Sequence, residues 1–338
     1  MFVISYKSST FVANIQQMKP ICLDLSQCNG LGDLICATPT IKKLSESYGQ
    51  KITILSQMPE LFKMNPYVEK SYKAASIDKD YFAIHYIIHS SFYLVGKKDE
   101  RGIEMKHNTM DIRQFHAIHL GFMLKKNEMD CFYLPTEEED IAQYGLGSKS
   151  SSGTKRYIVI HPVNSWPNRT WSEENWLKLS EKLVKLGYDV VAIGKDSSET
   201  GFFNVQKPVH NMDNNIINLM NKTSISQTWH LINNAAAVIT MDSGILHLAG
   251  TTNTWIFELG SAIDPEFRTP YRKGMAEYKH YYITGECTLH CCSNMKYALE
   301  YWPTIDSVQP LIGCLEKKET FECHPSVERV ISFIKTKI

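Results

Sequence analysis

Twice along this chain a short apolar run of strand length ends in a polar turn and gives way to a segment with helical spacing. Nothing else in the sequence limits the fold as much. Ile21-Cys22-Leu23-Asp24-Leu25 leads into Gln27-Cys28-Asn29-Gly30-Leu31-Gly32-Asp33, after which Leu34, Ile35, Ala37, Ile41 and Leu44 recur at helical intervals. A second strand, Lys51–Leu55, is reached through Gly49, and Pro59–Tyr67 reads as a short helix ending in the Asn65-Pro66 turn. Tyr81–Ser90 is strand-like, and Asp111–Leu124 carries the apolar stripe Ile112, Phe115, Ile118, His119, Phe122. The same logic then repeats. Tyr157–His161 is a strand, Ser172 caps a helix running to about Leu186, and Gly187 precedes the strand Asp189–Gly194. A helix over Ser224–Asn234 is followed by the strand Ala237–Thr240 and the turn Asp242-Ser243-Gly244. Strands alternating with helices predict parallel sheets. The one Gly/Ser-rich stretch, Gly145–Thr154, divides the chain into domains 1–150 and 151–338, each long enough for its own core.

Composition removes several function classes. Hydrophobic residues make up 43% and charged residues 21%, which suits a globular protein and excludes a largely disordered one. The 36 basic residues balance 36 acidic ones, so the chain lacks the basic footprint of a nucleic-acid binder. No window approaches 18 uninterrupted apolar residues, and the start MFVISYKSST lacks a basic n-region and a long h-region. These features predict a cytoplasmic protein.

Three polar loops follow strand ends, where open parallel sheets bind ligands. Gly30-Leu31-Gly32-Asp33 lets a ligand approach the backbone and offers Asp33 as a general base, although the same residues also suit a plain strand-to-helix turn. The loop lacks the third glycine of a dinucleotide fingerprint and the Gly-Lys-Ser/Thr ending of a P-loop. Asp242-Ser243-Gly244-Ile245-Leu246-His247 opens a helix whose free N–H groups suit a pyrophosphate; the alternative is a helix capped by Asp242 with His247 merely packed. His161–Trp171 supplies Arg169, either a fixed cation for a phosphate leaving group or an ordinary surface arginine. Trp166, Trp171 and Trp176 read as core and cleft wall, and His85, His89, His116 and His119 as packed histidines.

Taken in order, these segments resemble the heptosyltransferases of glycosyltransferase family 9. The resemblance runs from about Pro20 to Val330. Gly32-Asp33-Leu34-Ile35-Cys36-Ala37-Thr38-Pro39-Thr40-Ile41 is similar to the family's GDxxxATPxI, Asn65-Pro66-Tyr67-Val68 to its NPYV, Arg169-Thr170-Trp171 to its basic-x-Trp element, and Asp242–Ala249 to its DSGxxHLA. It implies a GT-B fold, α/β with two facing Rossmann-like domains and a central cleft. The first domain then takes the acceptor and the second the nucleotide-sugar, and a last helix, here Val327–Ile338, usually returns to the first. The chain departs from the pattern at Val163, commonly glycine, and at Trp255, where many relatives have proline.

What the resemblance implies is an inverting, metal-independent transferase using a nucleotide-sugar, ADP-heptose, and a protein or glycan acceptor. Asp33 would be the base. Gly32, Thr38, His161, Ser165, Arg169, Asp242, Ser243, Gly244 and His247 would line the donor site, with Glu199 accepting hydrogen bonds from a ribose. The rival readings are a GT-B-like protein that binds a nucleotide or sugar without transferring it, and a nucleotide-sugar epimerase. The segment from Ser165 to Trp171 is closer to the bacterial autotransporter heptosyltransferases, which modify proteins and carry a cysteine-ligated iron. Of nine cysteines, Cys287, Cys291, Cys292, Cys314 and Cys323 fall within 37 residues, 287–323. Cys287, Cys291 or its neighbour Cys292, Cys314 and Cys323 would hold one structural Fe or Zn, with His290 and His324 able to substitute, against the alternatives of reduced thiols or disulfides. The resemblance allows a monomer or a homo-oligomeric ring.

Overall fold

The computed structural model describes residues 20–28, 30–74, 76–77, 82, 84–89, 111–136, 141–144, 146, 157–163, 167–195, 216–272, 279–287, 314 and 321–338. Four strands, β1 (Ile21–Gln27), β2 (Ile52–Ser56), β3 (Val68–Lys73) and β4 (Ile84–His89), pair in parallel in the order β3-β2-β1-β4. All five residues of β2 are buried, as expected for a strand covered on both faces. Six more strands form a second parallel sheet, β5 (Tyr157–Ile160), β6 (Asp189–Ala192), β7 (Ile216–Asn218), β8 (Ala237–Thr240), β9 (Trp255–Leu259) and β10 (His280–Ile283), in the order β10-β9-β8-β5-β6-β7. The chain starts centrally in each sheet, winds outward to one edge, then crosses to the other. That reversal is the switch point of a doubly wound sheet, with a crevice at the strands' carboxyl ends.

The helices follow from local chemistry. A single helix after the first glycine loop is expected, but Ala37 breaks it into α1 (Leu31–Cys36) and α2 (Thr38–Tyr48). Pro39 has no N–H to continue the ladder and sits in the first turn of α2, where none is needed. Gly49 then ends α2 in the left-handed conformation, at φ 63°. The segment after Pro59 is shorter than expected, a 3-10 turn over Pro59–Phe62, because the Asn65-Pro66 turn follows so soon. Asp111 caps α3 (Ile112–His119), Ser172 caps α4 (Glu173–Lys185), and Ser224 with Gln227 builds a capping box on α5 (Ile225–Asn234). Ser243 opens α6 (Gly244–Gly250), and Ser326 caps α7 (Val327–Lys337).

One apolar cluster is continuous across both halves. It joins Leu34, Ile35 and Ile41 on the first-domain helices to Ile245, Leu246 and Leu231 on the second, with Val159 and Val191 beneath them. The other cluster lies on the far face of the second sheet and decides where α7 goes. Val327, Val330, Ile331 and Ile334 pack with Leu179 and Leu183 of α4, Phe257 of β9 and the edge-on Trp171–Trp176 pair. The indole of Trp171 also donates to the Pro325 carbonyl at 3.1 Å. The expectation that the last helix returns to the first domain is therefore corrected, because its buried stripe completes the second domain's own core. The Gly145–Thr154 boundary, apart from Leu146, lies outside the described residues. Ile334 is 1% exposed, so Ile334→Ala is expected to cost about 2–5 kcal/mol, read as a lower urea or thermal midpoint.

Candidate active site

The starts of α1 and α6 meet at a point where neither backbone carries a side chain. A Cβ on Gly32 would lie 2.7 Å from Cδ2 of His247, and one on Gly244 would lie 2.8 Å from Cβ of Leu31. The two expected loops are thus brought together, and Asp33 from the first domain lies within electrostatic reach of Arg268, Arg169 and Asp242 from the second. Arg169 follows the short turn Pro167–Arg169 and donates to Oδ2 of Asp242 at 2.9 Å, so it is no free surface arginine. His247 is 5% exposed, with Nδ1 3.3 Å from the Cys36 thiol and Nε2 3.9 Å from Oδ1 of Asp242. Ser243 caps α6 through its hydroxyl, which also lies 3.3 Å from Nδ1 of His161 and 3.1 Å from Thr240 Oγ1.

The two carboxylates are driven in opposite directions. Burial pushes Asp33 upward, Arg268 and Arg169 pull against it, Asp242 pushes with it, and the outcome is raised. For Asp242 burial also pushes upward, but Arg169, Arg268 and His247 together hold it below the usual carboxylate range. Two acids split in this way mark one fixed anion and one proton acceptor. The histidines are neutral: burial lowers His161 and His247 to about 4 each. Burial likewise holds the Cys36 thiol protonated.

Not every expected residue joins this arrangement. The Thr38 hydroxyl is engaged inside the first domain, donating to the Ile35 carbonyl at 2.6 Å and accepting from the Phe132 amide at 3.2 Å. Ser165, Glu199, Trp166, His290, Cys291 and Cys292 lie outside the described residues. Trp171 and Trp176 are core, as expected. His116 is fully buried, with the Cys36 backbone beside it. Sequence reasoning missed Arg268, and also the Asp111–Arg113 pair, in which Arg113 donates to both carboxylate oxygens and on to the Thr269 carbonyl at 3.0 Å. The signal for Arg268 was there: Asp264–Pro270 is another polar turn beyond a strand end.

Among the described residues no three His, Cys, Asp or Glu side chains converge on a metal site. The segments of Cys287 and Cys323 do lie side by side. The Cys287 amide donates to the Glu322 carbonyl at 3.1 Å and the Gly285 amide to the Cys323 carbonyl at 2.9 Å, with both cysteines buried and Cys314 partly exposed.

The model of glycosyltransferase family 9 (heptosyltransferase) matches residues 104–297, more than half of the chain. The chain belongs to that family. Lipooligosaccharide heptosyltransferase 2 of Haemophilus influenzae is 29% identical over 105 residues, 31% of this chain and 30% of that protein. This family 9 chain therefore spans about a third of the length of that relative. Among solved structures it is similar to a family 9 glycosyl transferase of Veillonella parvula, with 16% identity, 94% and 96% of the two chains covered and a TM-score of 0.62. It is also similar to TibC, an iron-containing dodecameric glycosyltransferase of enterotoxigenic E. coli H10407, with 15% identity, 94% and 76% covered and a TM-score of 0.64. A second TibC structure, in complex with ADP-D-beta-D-heptose, gives a TM-score of 0.66. These likenesses show the GT-B fold. No described helix is long and apolar enough to cross a membrane.

The neutral histidines predict a stability effect. His116 is pushed by burial from 6.5 to about 3. The unfolded chain therefore binds the extra proton between those values, and stability is lost as pH falls through that window. His116→Leu removes this proton uptake. The slope of stability against pH between 6.5 and 3 is expected to fall by up to about 1.4 kcal/mol per unit, measured from urea midpoints.

Proposed function

We propose that this protein transfers heptose from ADP-heptose to a hydroxyl of a protein or glycan acceptor, with inversion at the anomeric carbon, in the cytoplasm. The observation that carries the reading is the split carboxylate pair at the meeting point of the two domains, in a chain of a heptosyltransferase family. The acceptor hydroxyl gives its proton to Asp33 and its oxygen attacks the anomeric carbon from the face opposite ADP. The bond from that carbon to the phosphate oxygen breaks, and ADP leaves with the negative charge. Asp33, its pKa raised by burial, is a stronger base than a free carboxylate. Arg169, oriented by Asp242, faces the departing diphosphate, aided by the Ser243 hydroxyl and the amide groups that open α6. Guanidinium and amide groups supply the charge compensation, so no step calls for a divalent cation. Neutral His161 and His247 add hydrogen bonds without extra charge.

The same reading gives the cysteines a structural task. One Fe or Zn on Cys287, Cys291 or Cys292, Cys314 and Cys323 would tie the segment ahead of α7 to the end of the second sheet, a role supported by the backbone pairing of residues 285–287 with 322–323. An oligomer fits this branch of the family as well, since TibC is dodecameric.

The test is calorimetric titration with ADP-heptose, ADP and UDP, with ADP release followed in parallel and metal measured in the same sample. Selective binding of the adenine nucleotides is expected, with about one metal per chain. Asp33→Asn is expected to lower ADP release by about 10²–10⁴-fold while donor affinity stays within a few fold. Donor binding without ADP release from the wild-type protein, over a range of hydroxyl acceptors, would make it a binding protein instead. Binding of UDP alone would discard heptose.

A further inference from the structure

Arg169 is the cation given above to the departing diphosphate, and both of its flanks are tied to one short segment far along the chain. Its Nη1 donates to Oδ2 of Asp242 at 2.9 Å, so where the guanidinium stands depends on where the Pro167–Arg169 turn stands. Just before Arg169, the Asn168 carbonyl lies 3.0 Å from Nε2 of His324, 156 positions away. A carbonyl only accepts, so that nitrogen carries a proton and donates. Just after Arg169, the Trp171 indole donates to the Pro325 carbonyl at 3.1 Å, across 154 positions. Two consecutive residues, His324 and Pro325, therefore hold the turn from both ends.

The segment can serve as a clasp because it is itself anchored. The Gly285 amide donates to the Cys323 carbonyl at 2.9 Å, and the Glu286 and Cys287 amides donate to the Glu322 carbonyl at 2.9 and 3.1 Å. The approach is so close that a Cβ on Gly285 would overlap the carbonyls of Glu322 and His324. Directly after the segment, Ser326 caps α7, whose apolar stripe is built into the core with Trp171 and Trp176. His324 is also held by its own turn: its amide donates to the Phe321 carbonyl at 2.9 Å, and its ring centre lies 5.1 Å from that of Phe321. Asn168 is fully buried, where a carbonyl that loses a donor gains no bulk water in exchange. Loss of the imidazole therefore favours a shift of the turn, and the guanidinium shifts with it.

We propose that His324 is a positioning residue for Arg169: through the Asn168 carbonyl, with the Pro325 carbonyl on Trp171 as the second hold, it sets where the guanidinium stands against Asp242 and hence its reach to a diphosphate. The identity of that ligand rests on the transferase reading; the hold on the turn does not. The Nε2 atom bonded to Asn168 is not open to a metal, which separates the task of His324 from that of its neighbour Cys323.

The experiment follows Arg169 directly. Protein labelled with nitrogen-15 at arginine side chains is observed by NMR, the Arg169 Nε–H signal is assigned as the one missing from Arg169→Lys, and ADP and adenosine binding are measured by calorimetry on the same samples. His324→Leu, which keeps bulk but donates nothing, is expected to displace or broaden the Arg169 signal and to weaken ADP about 10-fold, with adenosine, which has no diphosphate, within a few fold of wild type. His324→Gln restores a donor and is expected to restore both the signal and ADP binding. In an Arg169→Gln background the leucine substitution is expected to cost no further ADP affinity, because its effect passes through the guanidinium. His324→Met serves in the same way if the leucine variant does not fold. An Arg169 signal unmoved in the variants without a donor, an equal loss of ADP affinity with and without Arg169, or an equal loss for adenosine overturns the assignment. Loss of bound metal in both the leucine and glutamine variants would make His324 a ligand and overturn it too. Wild-type protein that binds no ADP would sink the transferase reading and leave the guanidinium signal to decide the positioning role.

Discussion

Everything at the centre of this molecule depends on two backbones approaching where neither has a side chain. Gly32 and Gly244 open their helices at the contact between the domains, and a methyl group on either would overlap Leu31 or His247. Because they are bare, the carboxylate of one loop comes close to the carboxylate and imidazole of the other, and to the Arg169 guanidinium supplied by a third loop. Sheet order does the rest. Both sheets reverse direction at their first strand, so the loops leaving β1, β5 and β8 emerge at crevices and not along a flat edge.

Enclosure sets the electrostatics. Two acids and two arginines together carry no net charge, and the two nearby histidines add none because burial keeps them neutral. Within that balance the acids differ in their company. Asp242 holds a guanidinium at 2.9 Å and stays an anion, whereas Asp33 has no such close ion pair among the described residues and is left more basic. An ionised diphosphate would disturb this balance most strongly at Arg169, the arginine already oriented by a fixed partner.

Much of this was legible in the sequence because the strands are continuously apolar and the loops that follow them are polar. The strands β1, β2, β5, β6 and β8, the Ser172 and Ser224 caps, and the meeting of Asp33 with the Asp242 loop all read directly. The failures have physical causes. The break at Ala37 came from Pro39, which suits a first helical turn as well as it interrupts a ladder. Arg268 was missed because one arginine in a proline-bounded turn carries no periodic signal, and its neighbours are brought to it only by tertiary structure. The direction of α7 was misread for a similar reason: its stripe shows that it must pack, and only the complementary face of α4 shows where.

The docking of α7 has a topological consequence. With the last helix built into the second domain, the described residues show one passage of the chain from the first sheet to the second. A returning helix would have made a second one and braced the crevice like a strap. Contacts that align the two loops include the glycine approach, the apolar seam around Leu34 and Ile245, the Cys36–His247 contact and the bond from Arg113 to the Thr269 carbonyl. The base stands on one half and both arginines stand on the other. Reactivity is in this sense conjunctive, present in neither half alone and assembled only when the two are in register.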